Sequence, residues 1–292
     1  MKPYPSRNPK LTLAIPFTAA AFLATTASAQ VLATENFSIS SGAGGSGAAA
    51  TSCMIMSDGT SWSGGAVGVQ GASGLNDIGG SSLAANDTFK FGVGSTVSSL
   101  NATYGAGDWT IANPELTFQY TLYANNSRFN AGAGGFNIYW VANDSWVQGS
   151  VNPVYATTAA GLSAWSGGQA LIGSEYYNWS TPGYTGTDAD EGTSKWITDK
   201  TGIQQATISY DLILDPSFVN DITSATASSD PNVSLYLMAT SPTTGLTIFT
   251  GGASVLPTLT FEVVAIPEPS AWAMAACGLA GLASICRWKT RK

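Results

Sequence analysis

Histidine is absent from all 292 residues. That removes the commonest general base, every Ser/His/Asp or Cys/His arrangement, and zinc sites that rely on imidazole. Cysteine is scarce as well. Cys277 and Cys286 fall in an apolar run near the C-terminus, so Cys53 is alone in the body and has no partner for an intramolecular disulfide. Cations are few: between residues 30 and 266 only Lys90, Arg128, Lys195 and Lys200 stand against seventeen carboxylates, a formal balance of −13. Such a body repels phosphate backbones, so nucleic acid is not an expected partner, and neutral polysaccharide or cations suit it better. No repeat at solenoid or propeller spacing is evident.

What is present is period-two alternation. Leu116, Phe118, Tyr120 and Leu122 share a face, and Phe136, Ile138 and Trp140 alternate with Asn137, Tyr139 and Val141. Ile208, Tyr210, Leu212 and Leu214 repeat the pattern, as do Val233, Leu235 and Leu237, then Leu259, Phe261 and Val263, and more briefly Phe89, Phe91 and Val93. Alternating aromatic and branched residues punctuated by Gly, Asn, Asp and Pro predict half-buried strands joined by turns. One short helix is predicted after Asp215, with that residue as cap, Pro216 in the first position and Phe218, Val219 and Ile222 as its apolar stripe. The 237 residues from 30 to 266 are enough for a core without staples. The expected fold is all-β, a β-sandwich or jelly roll with almost no helix.

Residues 38–85 differ in kind, being dominated by Gly, Ser and Ala. They read either as flexible linker or as short strands, Met54-Ile55-Met56 and Ala66–Val69, between long glycine-rich turns. We adopt the strand reading and divide the chain into 1–29, a Gly/Ser/Ala-rich part over 30–85, a sandwich over 86–264 and a terminal segment over 265–292.

Both ends carry addresses. Lys2, Arg7 and Lys10 precede an apolar core, Leu11–Leu23, and the small residues Ala27 and Ala29 predict signal-peptide cleavage after Ala29. At the other end Pro267-Glu268-Pro269 leads into an apolar run of sixteen residues, Ala271–Cys286, and a basic tail, Arg287 to Lys292. The run is slightly under the roughly 17–25 residues of a spanning helix. Arg287 and Lys289 extend its reach by snorkelling and mark the cytoplasmic side. These three parts, in this order and behind a signal peptide, resemble the PEP-CTERM sorting signal of Gram-negative bacteria. The resemblance covers Ile266–Lys292 and implies Sec export, a membrane-anchored precursor with a transmembrane helix, recognition and cleavage by an exosortase, and a destination at the cell surface or in the extracellular matrix of a biofilm.

The order of features over about residues 86–264 resembles the DNRLRE-type domain of extracellular bacterial proteins. It is carried by Phe89-Lys90-Phe91, Ala112–Tyr120, Phe136–Trp146, the helix at Asp215, Val233–Met238 and Leu256–Phe261. Lys90 stands where that family usually has arginine. The resemblance implies a jelly-roll-like β-sandwich, of a kind that in some members binds polysaccharide.

Candidate sites follow from residue chemistry. Glu175, Tyr176, Tyr177, Trp179 and Tyr184 are the densest aromatic group, placed in a loop-rich middle. Exposed rings there would offer flat apolar platforms to the C–H face of a sugar, whereas strand tryptophans such as Trp140 read as core. Asp188, Asp190 and Glu191, followed by Gly192, form the densest carboxylate group. Such a turn suits calcium, which takes about 6–8 oxygens, but it does not continue as an EF-hand, and a solvated acidic loop is the plainer reading. Asn143-Asp144 and Asn76-Asp77 read as turn residues. Glu175 with Asp188 or Asp190 would serve as a glycosidase pair only across a separation of roughly 5–9.5 Å. Triplets such as Asn36-Phe37-Ser38 and Asn178-Trp179-Ser180 are expected by chance in so Asn- and Ser-rich a chain. The expectation is therefore an exported, non-catalytic protein, structural or carbohydrate-binding in an exopolysaccharide matrix and needing no cofactor. The alternatives are a polysaccharide lyase or glycoside hydrolase, and a calcium-stabilised adhesin.

Overall fold

The computed structural model describes residues 30–39, 51–72, 83–123, 133–147, 151–178, 195–198, 203–229, 231–251 and 255–266; at 121–123, 133, 175–178, 195–198 and 203–206 it describes the backbone alone. Thirteen strands belong to one antiparallel, curled sheet. They are β1 (Val31–Ser38), β2 (Ser52–Met56), β3 (Ser61–Trp62), β4 (Ala66–Gln70), β5 (Ala85–Gly92), β6 (Trp109–Tyr123), β7 (Ala133–Val141), β8 (Gln169–Asn178), β9 (Lys195–Thr198), β10 (Ile203–Asp211), β11 (Asn232–Ala239), β12 (Gly245–Phe249) and β13 (Thr258–Ala265). Among the described residues three helices join them: α1 (Gly94–Tyr104), α2 (Ala159–Ser166) and α3 (Pro216–Ser224). The all-β expectation holds, and the two short strands expected among the glycine-rich residues correspond to β2 and β4.

The long strand β6 organises the curl. One of its edges pairs with β13 and then, three residues on, with β12; its other edge pairs with β10. Opposite Phe261 the ladder shifts register, and Asn113, at φ 47°, leads into Pro114 there. Asparagine tolerates this left-handed backbone, and its side-chain amide donates to Glu262 Oε2 at 2.8 Å. The irregularity resets the alternation: Trp109 and Ile111 are buried before it, Leu116, Phe118 and Tyr120 after it. Odd and even positions thus serve the same core.

Beyond β10 the chain runs into Leu212 and Ile213. Their amides donate to the carbonyls of Pro114 and, in β8, Ile172, each at 2.7 Å. Ile172 is the extra residue where the β7–β8 register shifts, which leaves its carbonyl available. Two hydrogen bonds thus bring the end of the path β6-β12-β4-β5-β11-β7-β8 back towards β6. This corrects the expectation that Leu214 continues the strand: β10 stops at Asp211, Leu212 is buried, and Ile213 and Leu214 are exposed.

The main core lies inside the curl and includes Phe89, Phe91, Phe118, Phe136, Ile138, Leu235, Leu237 and Phe261. α3 forms as expected, with Asp215 Oδ1 accepting from Ser217 N at 2.8 Å and Phe218 N at 3.4 Å, and buries Phe218 and Ile222 in this core. Two further helices correct the expectation of almost no helix. α1 has only Val97 and Leu100 as large buried residues, and Ser98, Ser99 and Thr103 turn their hydroxyls back to carbonyls four residues earlier. Such residues have low helix propensity, so tertiary packing decides. Gly94 allows it: a Cβ there would stand 2.7 Å from backbone atoms of Pro231 and Thr226. α2 is short, capped by Thr158 and ended by Gly167 in the left-handed conformation at φ 76°. Among the described residues no helix is long and apolar enough to cross a membrane.

Candidate functional site

The outer face of β5, β11 and β7 is not left to solvent. Residues 142–147 and 151–166 fold back over it, and α2 packs on β7 and β8. Cys53, Ile55, Tyr139, Val141, Trp146, Ala156, Leu162, Tyr236 and Met238 form a second apolar cluster there. This explains why every residue from Val233 to Met238 is buried, which simple alternation does not anticipate.

Polar side chains pin this layer down. The Tyr236 hydroxyl donates to the Val154 carbonyl at 3.0 Å and accepts from Ala156 N at 3.0 Å and Asn86 Nδ2 at 2.9 Å. Asn86 completes the junction through its amide nitrogen to the Ala156 carbonyl at 2.7 Å and its oxygen from Ala239 N at 3.2 Å. Burial raises the Tyr236 hydroxyl's pKa, so it stays a neutral donor and acceptor. Lys90 Nζ donates to the Trp146 carbonyl at 2.6 Å and lies 4.1 Å from the centroid of the Trp146 ring, whose indole N–H donates to Ser234 Oγ at 3.0 Å. Burial lowers the pKa of Lys90, while the Asp144 carboxylate pulls it back up.

Where this layer meets the ends of β7 and β11, an open cleft of about 560 Å³ is lined by Ala142, Asn143, Asp144, Ser145, Ser166, Ser229, Pro231 and Asn232. Asn143 Oδ1 accepts from Ser145 N at 3.0 Å and Ser145 Oγ at 2.7 Å, a local turn that shapes one wall. The lining residues therefore carry hydroxyls, amides and a single carboxylate, that of Asp144, and include no cation. Such a surface can exchange hydrogen bonds with a neutral hydroxylated ligand. Two carboxylates across a cleft, as glycosidic hydrolysis asks, are not found in this lining.

The aromatic residues singled out from sequence divide. Glu175, Tyr176 and Tyr177 belong to β8 rather than a loop, their backbones opposite Phe136, Gly135 and Gly134 of β7. Trp179, Tyr184, Asp188, Asp190 and Glu191 lie outside the described residues, as do Ala27, Ala29, Pro267, Glu268 and Pro269. Among the described residues no group of three or more His, Cys, Asp or Glu could hold a metal. Trp140 is core, as expected, its indole N–H donating to Asp221 Oδ2 at 2.6 Å. Asn143 is a turn residue, again as expected; the cleft beside it was not foreseen, because its walls come from three segments separated in sequence. Comparison with family models and with curated proteins finds no match to this chain.

Proposed function

We propose that this chain is an exported, non-catalytic protein of the cell surface or exopolysaccharide matrix, with a jelly-roll-like body that binds neutral polysaccharide. Its N-terminal segment is a signal peptide removed after Ala29. Its last 28 residues are a PEP-CTERM-type sorting signal in which Pro267, Glu268 and Pro269 are read by an exosortase and the apolar run anchors the precursor. The observation that carries the binding half is the cleft at Asn143–Ser145, Ser166, Ser229 and Asn232, whose lining of hydroxyls, amides and one carboxylate contains no cation. A body with a balance of −13 favours uncharged polymers over anionic ones. Two measurements test the reading. Cell fractionation with N-terminal sequencing should find exported material beginning at Gln30, and unprocessed chain confined to the cytoplasm overturns export. A glycan array should show retention on neutral polysaccharide, and no retention on any removes the binding role.

A further inference from the structure

The tryptophans whose side chains are described are not alike. Trp109, Trp140 and Trp146 are buried, and their indole N–H groups donate to Asn101, Asp221 and Ser234. Trp62 is 51% exposed and its N–H has no partner among the described residues. It ends β3, a strand two residues long that among the described residues pairs only with β2. Gly64 sets its posture. A Cβ at that position would stand 2.8 Å from Nε1 and 3.2 and 3.3 Å from Cε2 and Cζ2 of the indole. The nitrogen-bearing side of the ring therefore rests on the Gly64 backbone, in a seat that any side chain there would take away.

We propose that Trp62 is a stacking platform for a pyranose ring of a neutral polysaccharide. This rests on the polysaccharide-binding reading above and adds a second contact point remote from the cleft. A half-exposed indole gives a flat apolar surface for the C–H face of a sugar, and its unsatisfied N–H supplies a donor for a ring hydroxyl. The strand that carries it is held by its own turn: Asp58 Oδ1 accepts from Thr60 N at 2.8 Å and Thr60 Oγ1 at 2.6 Å. A ring already seated on Gly64 loses little freedom when a ligand stacks on it. The indole lies on the face opposite the exposed Val151 and Val154. Val151 and Val154 belong to the loop that Ser61 meets through Asn152 Oδ1 at 2.9 Å, and neighbouring side chains on a strand point to opposite faces. An isolated ring with a free donor fits a sugar better than an apolar protein surface.

The test is native affinity electrophoresis of the full-length chain in mild detergent, through gels containing hydroxyethylcellulose or dextran, with alginate as the anionic control. A neutral polymer should retard the wild type. Trp62→Ala should weaken retardation about tenfold, with Trp62→Phe in between. Gly64→Ala keeps the indole but unseats it, and should weaken retardation as well. Thermal melts establish that each variant is folded. Should Trp62→Ala fail to fold, Gly64→Ala and Trp62→Phe decide on the same criterion. Folded variants retarded like the wild type overturn the platform and leave the polysaccharide reading standing. A wild type retarded by neither neutral polymer removes that reading and the platform together. Retardation by alginate equal to that by the neutral polymers overturns the neutral class.

Discussion

Asp87 offers the sharpest test of how this sheet is held together. Its cross-strand neighbours are Met54 on β2 and Leu237 on β11, so it lies on the core face in the row that runs from Trp62 through Met54, Asp87 and Leu237 to Ile138. The residue is fully buried, and neither carboxyl oxygen has a hydrogen bond of good geometry. Burial pushes its pKa well above the ordinary 3.8, and the Gly68 amide only partly opposes this. Asp87 is therefore protonated in the fold and ionised in the unfolded chain above about pH 3.9. The sign follows. Its contribution to stability is complete below the unfolded value and is lost as pH rises towards the folded one, because unfolding releases a proton. Within that window one such group costs about 1.4 kcal/mol per pH unit. For a body of this size that lowers Tm by about 3–6 °C per unit. Asp87→Asn keeps the shape and removes the proton. Scanning calorimetry from pH 5 to 6 should show Tm of the wild type falling faster than that of Asp87→Asn by this amount. Asp87→Val, which also removes the orphaned polar atoms, should gain about 1–3 kcal/mol at pH 7. Parallel Tm curves for wild type and Asp87→Asn would refute the argument, since a partnered or solvated carboxyl has no reason to stay neutral.

Three further outcomes are expected. Tyr236→Phe strips the acceptor and donor that hold Val154 and Ala156, leaves the buried Ala156 amide and the part-buried Val154 carbonyl unpaired, and should cost about 1–3 kcal/mol in urea unfolding; an unchanged midpoint would mean that water serves the junction as well. Asp215→Ala removes the cap of α3 and should cost about 1 kcal/mol, while Asp215→Asn should cost little; equal losses would point to charge rather than capping. Cys53 is buried, with its thiol raised to about 12, so peptide-resolved mass spectrometry after iodoacetamide at pH 8 should find it unmodified in the folded chain and alkylated in urea; rapid labelling without denaturant contradicts the second cluster as described.

Where local pattern and packing agree, the fold was legible. β13 alternates as expected, and α3 announces itself by Asp215 and Pro216 because capping is a matter of three or four consecutive residues. α2 carried a fainter signal in Thr158 and Gly167, which could have been read as a cap and a stop. α1 carried almost none, since serine and threonine compete for the helix's own carbonyls. The cleft was the least legible feature, because its lining residues are ordinary turn formers in separate stretches of chain.

The amino-acid order alone determined the class of the body, the places where most strands run, the cap of α3 and the absence of imidazole chemistry. Each of these is set by neighbours a few residues apart or by composition. The tertiary structure decided the rest. β1 pairs with β13 more than two hundred residues away, and residues 142–147 and 151–166 cover a face that alternation alone would have left half wet. It also put Asp87 on the core side of its strand while Lys90, three positions on, faces the outer layer. Period two says which residues share a face, but only the packing of distant strands says which face is inside.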